Sequence, residues 1–292
     1  MTEMTFRETR ITGWADFCER AFADSWRADL ARHRSPYAFR GMPDAAGSLS
    51  TSLQRMGGPY RDTEWHLLRT FMRYADVQRA RRPRSDWSWM ALAQHHGLPT
   101  RLLDWTFSPF VALHFVTLDR TLYHVDGVVW YVDCTRVIAH LPDPLRRELE
   151  RARAAVLSTE MLERTVPTLE ALDALAAQTD EPFAMFFEPP SVSARIINQR
   201  ALFSMMSRAD GQFDAWLREE HPDLCGRMVI PAERKWELRN KLDQANFTER
   251  LLLPGLDGLA SWLARYYGPA PFGAQDVEGR DIEIASGSAF DD

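Results

Sequence analysis

The most informative stretch of the sequence is LAQHHGLPTRLLDWT, residues 92–106. It places two imidazoles, a guanidinium, a carboxylate and several hydroxyls close together along the chain. A packed core does not favour so many polar groups, because each buried group without a partner costs about 1–3 kcal/mol. A solvated loop does not favour the leucines and the tryptophan between them. Polar groups held among apolar neighbours are typical of a preformed binding site.

The composition predicts a globular, cytoplasmic protein that does not act at a membrane. The chain has 292 residues, 45% of them hydrophobic, and a formal net charge of −6. This suits one large or two small domains, without the charge balance of a nucleic-acid-binding protein. No apolar run approaches the ~20 residues that cross a bilayer. The three cysteines, at positions 18, 134 and 225, have neither disulfide nor metal-ligand spacing, so a reducing compartment without a metal site is expected.

Apolar periodicity and capping residues predict an α+β fold in which many helices surround a small mixed β-sheet. The predicted strands are 37–41, 127–133, 183–188, 201–206 and 227–231. The predicted helices are 14–32, 65–79, 86–97 with Asp86 as N-cap, 143–157, 167–177, 233–245, 256–267 and one that opens at Ser108 and Pro109. We interpret 1–35 as an N-terminal helix on a main domain of 36–268, followed by an acidic, loosely ordered tail at 269–292.

Phe39-Arg40-Gly41 closes the first predicted strand. A guanidinium suits bidentate binding of a phosphate or carboxylate, and a glycine lets another backbone or a ligand approach closely. The alternative is a surface arginine on a strand edge, and three residues alone do not exclude it.

In the opening stretch, a glycine and a proline end the helix, so 100–106 are interpreted as a turning segment. His95 and His96 point about 100° apart on a helix end and cannot both face one ligand. Arg101 and Asp104 form either a structural ion pair or part of a site. In a site, Asp104 fixes a histidine tautomer or positions a ribose hydroxyl.

A third segment places Arg195 and Gln199 four residues apart, on one face if the segment is helical. Other chemistries lack their patterns: the sequence contains no G-x-S-x-G, H-E-x-x-H, P-loop or G-x-G-x-x-G motif. Serine-nucleophile, zinc-hydrolase and the common nucleotide-fold signatures are therefore not indicated.

Together the three segments resemble the FRG domain family, which is named for its phenylalanine-arginine-glycine motif. The resemblance covers about residues 36–267. Its matching pieces are Phe39-Arg40-Gly41, 48–55, 94–106 with Ser108 and Pro109, Arg195 and Ile196 with Gln199 and Phe203, and 253–259. It implies a role in phage defence or as a toxin, and its motif order is similar to that of ADP-ribosyltransferase folds.

The resemblance implies a cleft for NAD as substrate. Arg40, beside Gly41, would hold the pyrophosphate or the adjoining ribose. The nicotinamide side would be lined by Asp104, Trp105, Thr106 and Ser108, with His96 and Arg101 flanking it. Gln199 stands where such transferases need a carboxylate, and a glutamine can hold the ribose 2′-hydroxyl but cannot abstract a proton. Activation of the acceptor would then fall to Asp104, His96 or Glu188.

The expected function is consumption of NAD, by ADP-ribosyl transfer to a nucleic acid or protein acceptor or by hydrolysis. The candidate catalytic residues are Arg40, His96, Asp104 and Gln199. The candidate NAD-binding residues are Arg40, Gly41, Arg101, Trp105, Thr106 and Ser108. One alternative is a non-catalytic module that binds a nucleotide or nucleic acid, and another is a metal-free hydrolase that uses His96 with Asp104.

Overall fold

The structure is a computed structural model that describes residues 6–75, 83, 85–191 and 193–270. The α-helices in those residues are α1 Trp14–Ala21, α2 Ser52–Met56, α3 Tyr60–Ala75, α4 Asp86–His95, α5 Pro109–Val116, α6 Cys134–Val137, α7 Asp143–Ala152, α8 Thr159–Thr165, α9 Leu169–Ala176, α10 Ala194–Asn198, α11 Phe213–Ala215, α12 Lys235–Gln244, α13 Glu249–Leu252 and α14 Leu256–Tyr266. A π-helical turn, Trp216–Glu220, continues α11. None of the described helices is both long and apolar enough to cross a bilayer.

The strands are β1 Arg7–Arg10, β2 Trp26–Arg27, β3 Arg32–His33, β4 Tyr37–Met42, β5 Leu103–Thr106, β6 Gly127–Asp133, β7 Leu157–Ser158, β8 Ala184–Glu188, β9 Ala201–Met206 and β10 Cys225–Ile230. Eight of them form one sheet in the order β1-β10-β6-β4-β5-β9-β8-β7, and β2 pairs with β3. β1 is parallel to β10 and β7 to β8, whereas the other pairs are antiparallel. The predicted α+β class and mixed sheet are confirmed.

Apolar side chains alternate to both faces of this sheet, and helices cover each face. On one face, α1, α5 and α12 pack around Phe39 and Val129, while α4, α8 and α9 pack around Phe187 and Phe203. The opposite face buries Trp130 together with residues of α6 and α11. The core is therefore split along the sheet on the first face and continuous on the second.

The two halves of the sheet meet through a single residue pair. β4 pairs with β6 along its whole length and β5 pairs with β9 along its whole length. Between β4 and β5, however, only Phe39 and Thr106 are partners. We call this junction, where β4 and β5 diverge beyond Phe39 and Thr106, the seam.

The predicted helix at 14–32 is wrong beyond Ala21. Asp24 adopts a left-handed φ of 55°, and a turn then leads into the β2–β3 hairpin. The apolar residues that continue the helical spacing, Phe22, Trp26 and Leu30, are exposed. Helical periodicity without burial does not form a helix, since most helical stability in proteins comes from packing.

The sheet is larger than predicted, because β1, β5 and β7 were not expected from the sequence. Residues 103–106 form a strand rather than a turn, with Leu103 and Trp105 buried on one face. Leu157, which was predicted to lie in a helix, belongs to β7. The helix α7 ends earlier than predicted, because Arg153 adopts a φ of 51°. β1 carries charged side chains and is defined by its backbone pairing with β10.

Two boundary predictions also change. The N-cap of α4 is Ser85, whose Oγ accepts from the Ser88 amide at 3.3 Å, rather than Asp86. Residues 6–35 contain strands as well as α1: β1 belongs to the main sheet, and Phe17 of α1 is buried in the same cluster as Phe39. The predicted tail at 269–292, after its first two residues, and the end of the predicted helix at 65–79 lie outside the described residues.

A buried polar network joins α5 to the C-terminal helices. Arg239 Nη1 lies 2.7 Å from His114 Nδ1, and both side chains are fully buried. Arg239 also binds Asp243, and Arg265 donates to both Asp243 and Glu249. Burial, with the Arg239 charge beside it, lowers the pKa of His114 from 6.5 to about 3.

We therefore expect acid to destabilise the protein through His114. Between pH 6.5 and pH 3 the unfolded chain binds a proton at this imidazole and the native protein does not, so the free energy of unfolding falls as the pH is lowered. The His114 contribution to this fall between pH 7 and pH 5 is about 2 kcal/mol. His114→Asn offers Arg239 an acceptor but does not titrate. Urea denaturation of both proteins at the two pH values measures the difference, and equal falls would contradict the assignment.

Candidate functional site

A cavity of about 220 Å³ lies at the seam. Its walls come from β4, β5, α5 and the end of α10, so the three segments predicted to form the site converge there. The residues that line it are Phe39, Arg40, Gly41, Asp104, Trp105, Thr106, Phe115, Arg195, Gln199 and Ala201. Of the predicted site residues, His96, Arg101 and Ser108 are not part of this lining.

Arg40 reaches across the seam. Its Nη1 donates to the backbone oxygen of Asp104 at 2.5 Å. The strands have diverged at this point, so the Arg40 side chain, rather than the β4 backbone, supplies the donor for this carbonyl. Its Nε is buried and has no partner among the described residues. Burial lowers the pKa of the guanidinium, although an arginine keeps its charge in proteins. A buried, charged donor without an acceptor is costly, so this position favours an anion.

Asp104 is oriented by two side chains that the sequence did not identify as site residues. Gln94 Nε2 donates to Asp104 Oδ2 at 2.7 Å, and Thr100 Oγ1 donates to Gln94 Oε1 at 2.7 Å. Gln94 therefore occupies the place predicted for a histidine or for Arg101. The available signal was chemical: a glutamine side chain can donate to a carboxylate through its NH₂ and accept from a hydroxyl through its oxygen.

Trp105, Thr106 and Ser108 have structural roles that the prediction of a nicotinamide wall missed. The Trp105 indole is buried in the core, and its Nε1 donates to Ser204 Oγ at 2.8 Å. Thr106 Oγ1 donates to the Gln199 carbonyl at 2.6 Å and accepts from the Ser108 amide at 3.0 Å. Ser108 is the N-cap of α5. Thr106 thus ties the β5 wall of the cavity to the Gln199 wall.

Arg195 lies on α10 and Gln199 is its C-cap, whose backbone amide donates to the Arg195 carbonyl, and both residues line the cavity. The Gln199 amide is fixed, because its Nε2 donates to the carbonyl of Leu252 at 2.9 Å. Arg195 is exposed at the rim. Among the described lining residues, two guanidinium groups therefore face one carboxylate, that of Asp104, and the cavity favours an anionic ligand.

Arg101 lies away from the cavity, in a buried ion pair with Glu64. Its Nε donates to Glu64 Oε2 at 2.7 Å, its Nη1 lies 3.7 Å from Asp173, and its side chain is 3% exposed. The predicted pair with Asp104 is wrong, and the prediction that Arg101 flanks the NAD site finds no support in this position. Glu64 was missed because it lies on α3, far upstream in the sequence. Arg101 and Glu64 instead line a separate depression of about 210 Å³.

His95 and His96 sit at the end of α4, with their rings 5.1 Å apart and nearly perpendicular. Because His96 does not line the cavity, the hydrolase that pairs His96 with Asp104 is not favoured. No cluster of three or more potential metal-ligating side chains occurs in the described part of the chain.

Gly41 is required by close packing of β4 on α5. A Cβ at this position would lie 1.8 Å from the carbonyl oxygen of Ala112 and 3.2 Å from Val116 Cγ2. The glycine of the motif therefore admits another backbone, which is one of the two roles expected from the sequence.

Residues 35–123 match the family model of the FRG domain. The chain therefore contains an FRG domain, and the resemblance stated on its motifs is confirmed for that range. The match spans β4, α2 to α4, β5 and α5, whereas Arg195 and Gln199 lie beyond it. No curated protein and no solved structure matches the chain significantly.

Proposed function

We propose that this FRG-domain chain consumes NAD at the seam cavity, by ADP-ribosyl transfer to a nucleic acid or protein or by hydrolysis. The observation that carries the proposal is the buried Nε of Arg40, a charged donor without an acceptor at a cavity that favours anions. A diphosphate supplies the anionic oxygens that such a donor needs. Asp104 and Gln199 offer hydrogen-bonding groups suited to ribose hydroxyls.

The proposed reaction breaks the glycosidic bond between nicotinamide and C1′ of the ribose. Nicotinamide leaves with the bonding electrons, and the oxocarbenium-like ribosyl group is stabilised by nearby negative charge, which Asp104 supplies. An acceptor hydroxyl, amide or water then bonds to C1′ and gives its proton to the Asp104 carboxylate. Gln199 holds the 2′-hydroxyl and takes no part in proton transfer.

The setting of Gln199 favours a second candidate function, a non-catalytic module that binds a nucleotide or nucleic acid. The amide cannot accept a proton, and it is held by Leu252. Asp104 is likewise already engaged by Gln94. A module of this kind binds NAD or ADP-ribose and leaves it intact.

Replacing Arg40 tests the proposal. We expect Arg40→Ala to lower NAD consumption by about 10²–10³-fold, because a charged donor aimed at the substrate is lost. Arg40→Lys keeps the charge but not the planar guanidinium, so its activity should lie between that of the wild type and that of Arg40→Ala. Release of nicotinamide and transfer of labelled ADP-ribose, measured with purified protein in cell extract, are the readouts.

The matched control is Arg146→Ala, which removes an exposed arginine of α7 and should leave activity unchanged. Wild-type protein that binds NAD without consuming it would establish the second candidate instead. Wild-type protein that neither binds nor consumes NAD contradicts both.

We further propose that the protein acts in the cytoplasm, in phage defence or as a toxin. Its three cysteines are free thiols, which supports a reducing compartment. The defence or toxin role rests on the FRG resemblance. Induced expression should lower cellular NAD and slow growth with the wild type but not with Arg40→Ala.

A further inference from the structure

The seam cavity is too small for a whole dinucleotide. Its volume of about 220 Å³ lies below the ~300–1,000 Å³ that is typical of small-molecule pockets. It suits one half of NAD, so the other half needs a second place on the protein.

A second cavity, of about 450 Å³, shares Phe39 with the first. It lies over β1, β4 and β6 beside the residues that follow α1, and its lining includes Arg7, Asp24, Tyr37 and Tyr131. Phe39 lines both cavities, so a ligand that extends from the seam cavity along Phe39 reaches the second one. Phe39 is thus the lining residue that the two cavities share.

The second cavity offers aromatic rings to a flat ligand. The Tyr37 and Tyr131 rings lie 5.3 Å apart at 77°, and the Tyr37 and Phe39 rings lie 6.2 Å apart at 63°. In an edge-to-face pair, the ring that contributes its edge keeps both of its own faces for other contacts. Both tyrosines are partly exposed, so a planar ring has access to them.

Polar groups at the same cavity suit a base that carries an amino group. Tyr37 Oη donates to Asp24 Oδ2 at 3.2 Å, and Asp24 is exposed, so its carboxylate can also accept from a ligand. Burial and the nearby Asp24 raise the pKa of Tyr37 to about 12, so this donor stays protonated at neutral pH. Arg7 adds a cation at the rim.

We propose that the second cavity binds the adenine base of NAD while the nicotinamide end occupies the seam cavity. This inference rests on the proposed function for the identity of the dinucleotide. Stacking on the tyrosine rings supplies the affinity, Asp24 accepts from the exocyclic amine, and the diphosphate connects the two ends past Phe39, which lines both cavities.

The test compares three ligands, NAD, AMP and nicotinamide mononucleotide, by calorimetric titration. We expect Tyr37→Leu to weaken binding of NAD and AMP by about 5- to 150-fold, the effect of losing one base–aromatic stack. Nicotinamide mononucleotide should bind the variant as it binds the wild type. The matched control, Tyr37→Phe, keeps the ring and should retain most of the affinity for AMP.

Tyr131→Leu repeats the test from the neighbouring strand, and thermal unfolding identifies a variant that does not fold. Absence of AMP binding by the wild type overturns the proposal, as does unchanged AMP binding by a folded leucine variant. In either case NAD consumption that depends on Arg40 leaves the proposed function standing. The opposite result is also informative. If the wild type binds AMP, a folded leucine variant does not, and the protein does not consume NAD, the adenine site is supported and only the catalytic proposal is contradicted.

Discussion

Gly41→Ala is expected to destabilise the protein by about 3 kcal/mol or more, at the upper end of overpacking effects. The new Cβ would lie 1.8 Å from the carbonyl oxygen of Ala112 and 2.7 Å from its carbonyl carbon. Both atoms are backbone, so no rotamer change relieves the contact. Either β4 or α5 must move, and both line the seam cavity.

Gly13→Ala is the matched control. At Gly13 a Cβ would have no neighbour closer than 3.8 Å, so the change should alter the free energy of unfolding by less than about 1 kcal/mol. Chemical denaturation of the two variants gives the comparison. Equal stability of Gly41→Ala and Gly13→Ala would show that β4 and α5 do not pack as described.

Breaking the buried pair of Arg101 and Glu64 should cost about 3–5 kcal/mol, because one ion is left without its partner. Both side chains are only 3% exposed. Arg101→Met therefore lowers stability strongly. Adding Glu64→Leu to it should restore most of the loss, since two apolar side chains often replace a buried ion pair without cost.

The matched control for Arg101→Met is Arg208→Ala, which removes an exposed arginine paired with Asp210. An exposed pair contributes at most about 1 kcal/mol. Urea denaturation distinguishes the two positions. If Arg101→Met proved as stable as the wild type but lost NAD consumption, Arg101 would be a site residue after all.

Local sequence patterns predict the elements whose burial matches their periodicity. β6 and β9 have the predicted bounds because both are nearly continuous apolar runs buried in the sheet. α5 begins as predicted because Ser108 and Pro109 form a recognisable cap. The helix at 14–32 failed because its later apolar residues are mostly exposed rather than buried in the core.

For the candidate site, the sequence likewise predicted some features and not others. That Arg40, Asp104 and Gln199 meet at one cavity agrees with the prediction, which rested on the order of the motifs. The partners of these side chains were not predictable, because they depend on contacts distant in sequence. Leu252 fixes Gln199 from α13, and Glu64 draws Arg101 away from the cavity. A residue type indicates which bonds are possible, and only the fold decides which are made.

The seam affects how firmly the two halves of the sheet are held together. The backbone of β4 and β5 is joined by one rung of the ladder, at Phe39 and Thr106, and the Arg40 side chain adds a hydrogen bond to the Asp104 carbonyl. A ligand held by Arg40 on one half and by Gln199 on the other braces a gap that the backbone leaves open. By mass action, its binding free energy is then added to the attachment between the halves. Under the proposed function, binding of NAD at the seam therefore adds to the cohesion between the two halves of the sheet.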